Sequence, residues 1–266
     1  MPALGQGTWN MGDDPALRAG ELAALRHGID LGLTLIDAAE MYGDGLSESL
    51  VGEAIAGRRD EVFLVSKVCP HNASRKAMRK SCEASLRRLG TDRLDLYLLH
   101  WSGAVRLEET LEAFAALQRD GLIRQFGVSN LDLSEMRELW QLPGGPAVQT
   151  DQLLYNLMRR GIEHDLLPWM RAHGVPLMAY SPIEQGRLLA DQRLVAFAGR
   201  HGMTPAQAAL AWLLAKDDVV VIPKTSNRTR LQENSQVLER PLDREALAEL
   251  EELFPAPGGP VPLDML

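Results

Sequence analysis

Cysteine is scarce in this chain: Cys69 and Cys82 are the only two among 266 residues. Two thiols cannot frame a disulfide scaffold or a zinc cluster in a protein of this length, so both read as reduced. Basic charge is also short, with 28 Lys and Arg against 36 Asp and Glu and a formal net charge of -8. A nucleic acid or an anionic membrane calls for a basic face, so neither partner is expected and any anion site must be local. No apolar run is long enough to span a bilayer, and the opening MPALGQGTWNMGDD lacks the basic flank and apolar stretch of a secretion signal. The expectation is a cytoplasmic protein, a monomer or a weak oligomer. Low-complexity tracts and sequence-level repeats are missing as well.

What is present is ordinary globular composition, 45% hydrophobic and 24% charged, with length for one large core. Short apolar, β-branched runs alternate with longer stretches whose hydrophobic residues recur at helical spacing, the pattern of a parallel β/α protein. Eight strands are predicted, over 4–9, 33–39, 62–68, 94–100, 123–130, 148–155, 175–182 and 219–224. Eight is the number of a (β/α)8 barrel, the TIM-barrel architecture, and a single domain over 1–266 is expected. Beyond Pro182 the spacing lengthens and leaves room for extra helices near the C-terminus, DQRLVAFAGRHG and DREALAELEELF. Thr204 and Pro205 supply an N-cap and a first-turn proline for TPAQAALAWLLAK. The tail PAPGGPVPLDML should be irregular.

A barrel of this kind places its active site at the C-terminal ends of its strands, so reactive residues that terminate apolar runs carry the most information. Asp37 ends the second run, Lys67 the third and His100 the fourth, and Tyr42 follows in the loop EMYGDG. Singly, each has a structural reading as a turn residue, a satisfied imidazole or a packed ring. Lys67 resists that reading, because the chain has five lysines against twenty-three arginines and a cation ending a buried strand needs a partner. Asp37 on the neighbouring strand is that partner. Together the four suit proton donation to a developing alkoxide: Lys67 lowers the pKa of the Tyr42 phenol, Asp37 holds Lys67, and neutral His100 orients a carbonyl. GDGLSE (43–48) opens a helix after a strand but lacks the third glycine and the ribose acid of a Rossmann fingerprint, so it reads as a turn.

The runs GTW (7–9), LIDAAEMYGDG (35–45), VSKV (65–68), LLHW (98–101), GVSN (127–130), DQLLYN (151–156), AYSP (179–182) and IPKTSNRTRLQEN (222–234) resemble the aldo-keto reductases. They occur in family order across nearly the whole chain, and the likeness is to the short prokaryotic branch that reduces small aldehydes and dicarbonyls. The resemblance implies Asp37, Tyr42, Lys67 and His100 as catalytic residues and NADPH (NADP+) laid across the barrel mouth. It places Ser129, Asn130 and Gln152 on the carboxamide and Tyr180 against the nicotinamide ring, with Ser181, Pro182 and Ile183 along the pyrophosphate. Lys224, Thr225, Asn227, Arg230, Glu233 and Asn234 would hold the adenosine end. Thr8, Trp9, Gln185, Gly186, Ile222 and Ser226 complete the implied cofactor set. Lys224 and Arg230 beside a helix opening suit a 2′-phosphate, which predicts NADPH over NADH.

Two departures from the family pattern stand out. Asp151 replaces the usual Asn before the glutamine, and Met1 and Pro2 stand almost at the first strand where family members commonly begin with a floor-closing hairpin. The expectation there is a partly open floor or an incomplete start. Trp9, Met41, Tyr42, His100 and Trp101 are expected to wall the substrate pocket, with 69–76 and the tail as outer walls. The product is expected to be an alcohol formed from a small aldehyde, an α-dicarbonyl or a keto sugar. Two other readings compete: an NADPH-binding regulatory subunit with slow turnover, and a metal-dependent hydrolase or isomerase using Asp37 and His100. Lys67 placed between those two ligands opposes a divalent metal.

Overall fold

The computed structural model describes residues 1–266. Its strands are β1 Gly5–Gly7, β2 Leu35–Asp37, β3 Phe63–Val68, β4 Leu94–Leu99, β5 Ile123–Ser129, β6 Asp151–Leu154, β7 Leu177–Tyr180 and β8 Val219–Val221. All eight lie within the runs predicted from sequence, and they form one parallel sheet in chain order. The sheet closes on itself: Leu4 bridges Val221, the Val221 N–H donates to the Ala3 carbonyl at 2.8 Å, and the Gly7 N–H donates to Pro223 at 3.0 Å. Gly7 is required at that seam, because a Cβ there would lie 2.9 Å from the Ile222 carbonyl oxygen. The fold is therefore a (β/α)8 barrel.

Ten α-helices accompany the strands: α1 Arg18–Asp30, α2 Leu46–Ala54, α3 Arg75–Leu89, α4 Leu107–Arg119, α5 Leu133–Gln141, α6 Leu166–Ala172, α7 Gln192–Arg200, α8 Pro205–Leu214, α9 Arg228–Ser235 and α10 Arg244–Leu253. The Thr204 cap acts as the sequence predicts, and a glycine ends α3. Thr204 and Gln207 form a reciprocal capping box at the start of α8, and Gly90 takes the left-handed conformation (φ 61°) that terminates α3. The extra helices α7 and α10 pack on each other, and the tail after Phe254 has no regular structure.

Strand alternation divides the apolar residues into two bodies. The larger packs strands against helices, with outward-facing positions such as Ile36, Leu64 and Tyr97 joining Leu50, Met78 and Phe114. The smaller fills the barrel lumen with Leu35, Val65, Leu96, Leu98, Met178, Val220 and Ile222, and partly buried Phe63 packs against it. Two residues beyond Leu35, Val65 and Leu98, on the same face, stand Asp37, Lys67 and His100. The polar residues thus rest on a dry plug. Cys69 and Cys82 are free and buried, and burial pushes each thiol up to about 12, which leaves both inert as nucleophiles.

On β6 the alternation sends Gln152 into the lumen and Asp151 outward, toward Leu131, Asp132 and Glu135 at the start of α5. Asp151 is fully buried and neither carboxyl oxygen has a hydrogen-bond partner. Burial holds its pKa well above the carboxylate range; the Leu131 backbone favours the anion, and Glu135 and Asp132 oppose it. A folded pKa above the unfolded value of about 3.9 makes stability fall as pH rises, by about 1.4 kcal/mol per pH unit until the folded pKa is reached. Asp151→Asn should therefore raise the melting temperature at pH 8 by several degrees relative to its effect at pH 4, at about 2–4 °C per kcal/mol for a chain of this size. A melting-temperature difference that does not change with pH would refute this account.

Candidate active site

Asp37 closes β2, Lys67 is the penultimate residue of β3, and His100 directly follows β4. Tyr42 opens a short 3-10 turn, Tyr42–Gly45, in which Gly43, Asp44 and Gly45 all have positive φ (56°, 51° and 92°). This tight turn folds the phenol back over the barrel mouth. There the Lys67 Nζ donates to Asp37 Oδ2 at 2.7 Å, to the Ala38 carbonyl at 2.9 Å and to the Tyr42 hydroxyl oxygen at 3.2 Å. The ammonium also lies 4.8 Å from the Tyr42 ring centroid, and the Tyr42 and His100 rings meet edge-on at 5.8 Å. The four residues proposed from sequence as catalytic are thus brought together at one rim.

Their charges are held by contacts, since Lys67 is 0% and Asp37 2% exposed. Burial alone would push the Lys67 ammonium down; Asp37 and Tyr42 outweigh it and hold the pKa above its ordinary value. Asp37 is itself fixed from the other side, as its Oδ1 accepts from Gln152 Nε2 at 2.8 Å and its carbonyl from Thr8 Oγ1 at 2.8 Å. Tyr42 departs from the sequence expectation. Its pKa is raised, because burial outweighs the lowering by Lys67 and Asp37 adds a negative charge nearby. The phenol accordingly keeps its proton at neutral pH. His100 is lowered to about 3 by burial and then by Lys67, so its ring is neutral. No protein group partners its buried Nδ1.

Asp37, Tyr42 and His100 line one end of a cleft of about 600 Å³, with Lys67 buried behind them. Trp9, Met41 and Trp101 line it beside Tyr42 and His100, as expected of the substrate walls. Met265 and Leu266 from the tail also line it, whereas no residue of 69–76 does. The segment 69–76 is drawn away by Glu40, whose carboxylate accepts from the Cys69 N–H at 2.7 Å and from Asn72 Nδ2 at 3.1 Å.

The aldo/keto reductase family model matches residues 3–254. The chain belongs to the aldo/keto reductase family. It is 53% identical over 271 residues to the methylglyoxal reductase YeaE of Escherichia coli K12, covering 100% of this chain and 95% of that protein. It is 30% identical to the methylglyoxal reductase DkgB of Salmonella typhimurium, over 92% of this chain and 90% of that one. Among solved structures, an aldo/keto reductase from Klebsiella pneumoniae in complex with NADP and acetate superposes with a TM-score of 0.98 at 49% identity, covering 100% of this chain and 96% of that one.

In this aldo/keto reductase the remainder of the cleft is lined by residues that could hold a dinucleotide. Ser129, Asn130 and Gln152 stand at its inner end with Thr8 and Asp37. Tyr180 presents its ring there, its hydroxyl tied to Asn130 Oδ1 at 3.0 Å, while Asn130 Nδ2 donates to the His100 carbonyl at 3.1 Å. Ser181, Pro182, Ile183, Gln185 and Gly186 form one wall, and Ile222, Lys224 and Arg230 continue it. Lys224 and Arg230 are exposed and neither enters any of the chain's salt bridges, so both cations are free for an anion. Thr225, Ser226, Asn227, Glu233 and Asn234 lie outside the cleft. Asn227 caps α9 by accepting from the Arg230 N–H at 3.1 Å, and Asn234 is buried.

Sequence reasoning missed four kinds of lining: Gly7, Asn10, Leu189 and the individual tail residues Met265 and Leu266. Gly7 opens the GTW motif and Asn10 follows it, which is a usable signal; Leu189 has none. A neutral His100 leads to a pH test. Its folded pKa lies below the unfolded value of about 6.5, so its contribution to stability is present above that pH and is lost as pH falls toward 3. Imidazole NMR shifts of His100 should stay those of a neutral ring from pH 8 to pH 5; a titration midpoint inside that interval would contradict the geometry.

Proposed function

We propose that this chain reduces small aldehydes, α-dicarbonyls or keto sugars to alcohols with NADPH, and that Tyr42 donates the proton. The observation that carries the reading is one ammonium, Lys67, in contact with both Asp37 and the Tyr42 hydroxyl under an open cleft. NADPH, when bound, supplies the hydride. His100, neutral and unpartnered, donates a hydrogen bond to the substrate carbonyl oxygen and fixes its orientation. Tyr42 keeps its proton until negative charge develops on that oxygen, then releases it. Lys67 stabilises the phenolate left behind, and Asp37 with Gln152 keeps Lys67 aimed at it.

The relatives named methylglyoxal reductases support an α-dicarbonyl as substrate, and the half-exposed Trp9 (46%) and Met41 (44%) form a shallow apolar wall suited to one. The same relatives give no support to a slow regulatory subunit. We assign the whole of 1–266 to one barrel domain acting as a cytoplasmic monomer without a nucleic-acid partner. The net charge of -8 supports the last point, and no helix is long and apolar enough to cross a membrane.

Tyr42→Phe should cut methylglyoxal reduction by at least ~100-fold while NADPH binding is retained, the usual worth of a general acid. Normal turnover by that variant would remove Tyr42 from the mechanism. Arg230→Ala should raise the Kd for NADPH by roughly tenfold and leave NADH unchanged, since a charge-assisted bond to phosphate is worth about 1.5–3 kcal/mol. Equal loss for both nucleotides, read by fluorescence titration, would place Arg230 elsewhere than at the 2′-phosphate.

A further inference from the structure

The turn Ser181–Gly186 after β7 is backbone-strained, and what holds it lies behind the cleft. Ser181, Glu184 and Gln185 have φ of 47°, 51° and 54°, a region non-glycine residues seldom occupy unless their surroundings over-determine it. Of the six residues, five line the cleft and only Glu184 does not. Its side chain is instead 1% exposed and points to the opposite side of the turn.

There Glu184 meets a set of donors from the segment after β6. Asn156, itself fully buried, donates through Nδ2 to Glu184 Oε2 at 2.8 Å and to the Ser181 carbonyl at 2.9 Å, so one amide grips the turn at its start and at its fourth residue. Its Oδ1 accepts from the Met158 N–H at 2.9 Å, which locks its orientation. Glu184 Oε1 accepts from Arg159 Nε at 3.1 Å and Nη2 at 3.0 Å, and from Arg187 Nη2 at 2.9 Å. Burial would push the Glu184 carboxyl up, but Arg159, Asn156 and Arg187 outweigh it and hold the anion. A buried carboxylate is tolerated only with such full pairing. Glycine at 184 would relieve the positive φ without needing any of it.

We infer that Asn156 and Glu184 are positioning residues that hold Ser181–Gly186 in its cofactor-receiving shape before the cofactor arrives. This rests on the cofactor reading of the cleft proposed above. Neither residue touches the nucleotide; each acts through the turn, which meets the part common to NADPH and NADH. An anchored turn spares the ordering cost that a loose one incurs on binding.

The test is titration of cofactor-free protein with NADPH and with NADH, for wild type, Glu184→Gln and Glu184→Gly, beside steady-state rates at saturating cofactor. Both variants should raise both dissociation constants by the same factor, about tenfold, while kcat stays within about twofold of wild type. Unchanged affinity in folded Glu184→Gln, normal affinity in Glu184→Gly, or weakening toward NADPH alone would overturn the inference. Wild type that binds neither nucleotide would overturn the cofactor reading and this inference with it. Should the variants not fold, amide exchange on wild type decides. The Glu184 and Gly186 amides, which donate to Ser181 and Ile183 carbonyls at 2.9 Å each, should exchange slowly before NADPH is added. Fast exchange that slows only after addition would overturn it.

Discussion

A single buried ammonium organises the mouth of this barrel. Lys67 has no water to stabilise its charge, and the Asp37 carboxylate, the Ala38 carbonyl and the Tyr42 hydroxyl take water's place. Removing one partner from a buried pair of this kind costs about 3–5 kcal/mol, because the other charge is left unsolvated. The same contacts that keep Lys67 charged also fix where Tyr42 can stand. The geometry proposed for catalysis and local stability are here one set of bonds.

That set depends in turn on the apolar plug beneath it. Leu35, Val65 and Leu98 exclude water from the lumen, so Asp37, Lys67 and His100, one alternation further along the same strands, sit on a low-dielectric floor. Burial then acts differently on each group. Lys67 keeps its charge through its partners, Tyr42 keeps its proton because burial outweighs Lys67, and His100 loses the capacity to charge near neutrality. Burial at Tyr42 and His100, and charged and hydrogen-bonding partners at Lys67, leave a protonated phenol with one neutral imidazole beside it.

The acidic chain keeps its unpaired cleft cations local. Lys224 and Arg230 stand unpaired at the far end of the cleft, while Arg159 and Arg187 are committed to Glu184 behind the turn that forms its wall. Cations that face the cleft are free and cations that shape it are neutralised. An excess of acidic residues elsewhere is compatible with this division, since it involves only side chains within a few ångströms.

Much of this was legible in one dimension. Parallel strands buried on both faces read as apolar runs, so all eight were located, and Asp37, Lys67 and His100 were visible because each interrupts or ends such a run. Tyr42 was reachable through its distance from Asp37 in the chain. The pairing of Asn156 with Glu184, the orphaned carboxyl of Asp151 and the direction of the Tyr42 shift were not legible. Each depends on which atoms surround a side chain, and residues 28 apart in sequence carry no local mark of their contact. The amino-acid order by itself determined the strand pattern, the barrel number and the reactive residues at the strand ends, because periodicity and burial are written locally. Only the tertiary structure decided which of those residues are charged, which backbone is held under strain and what holds it, because solvation and long-range hydrogen bonding exist only once the chain has closed on itself.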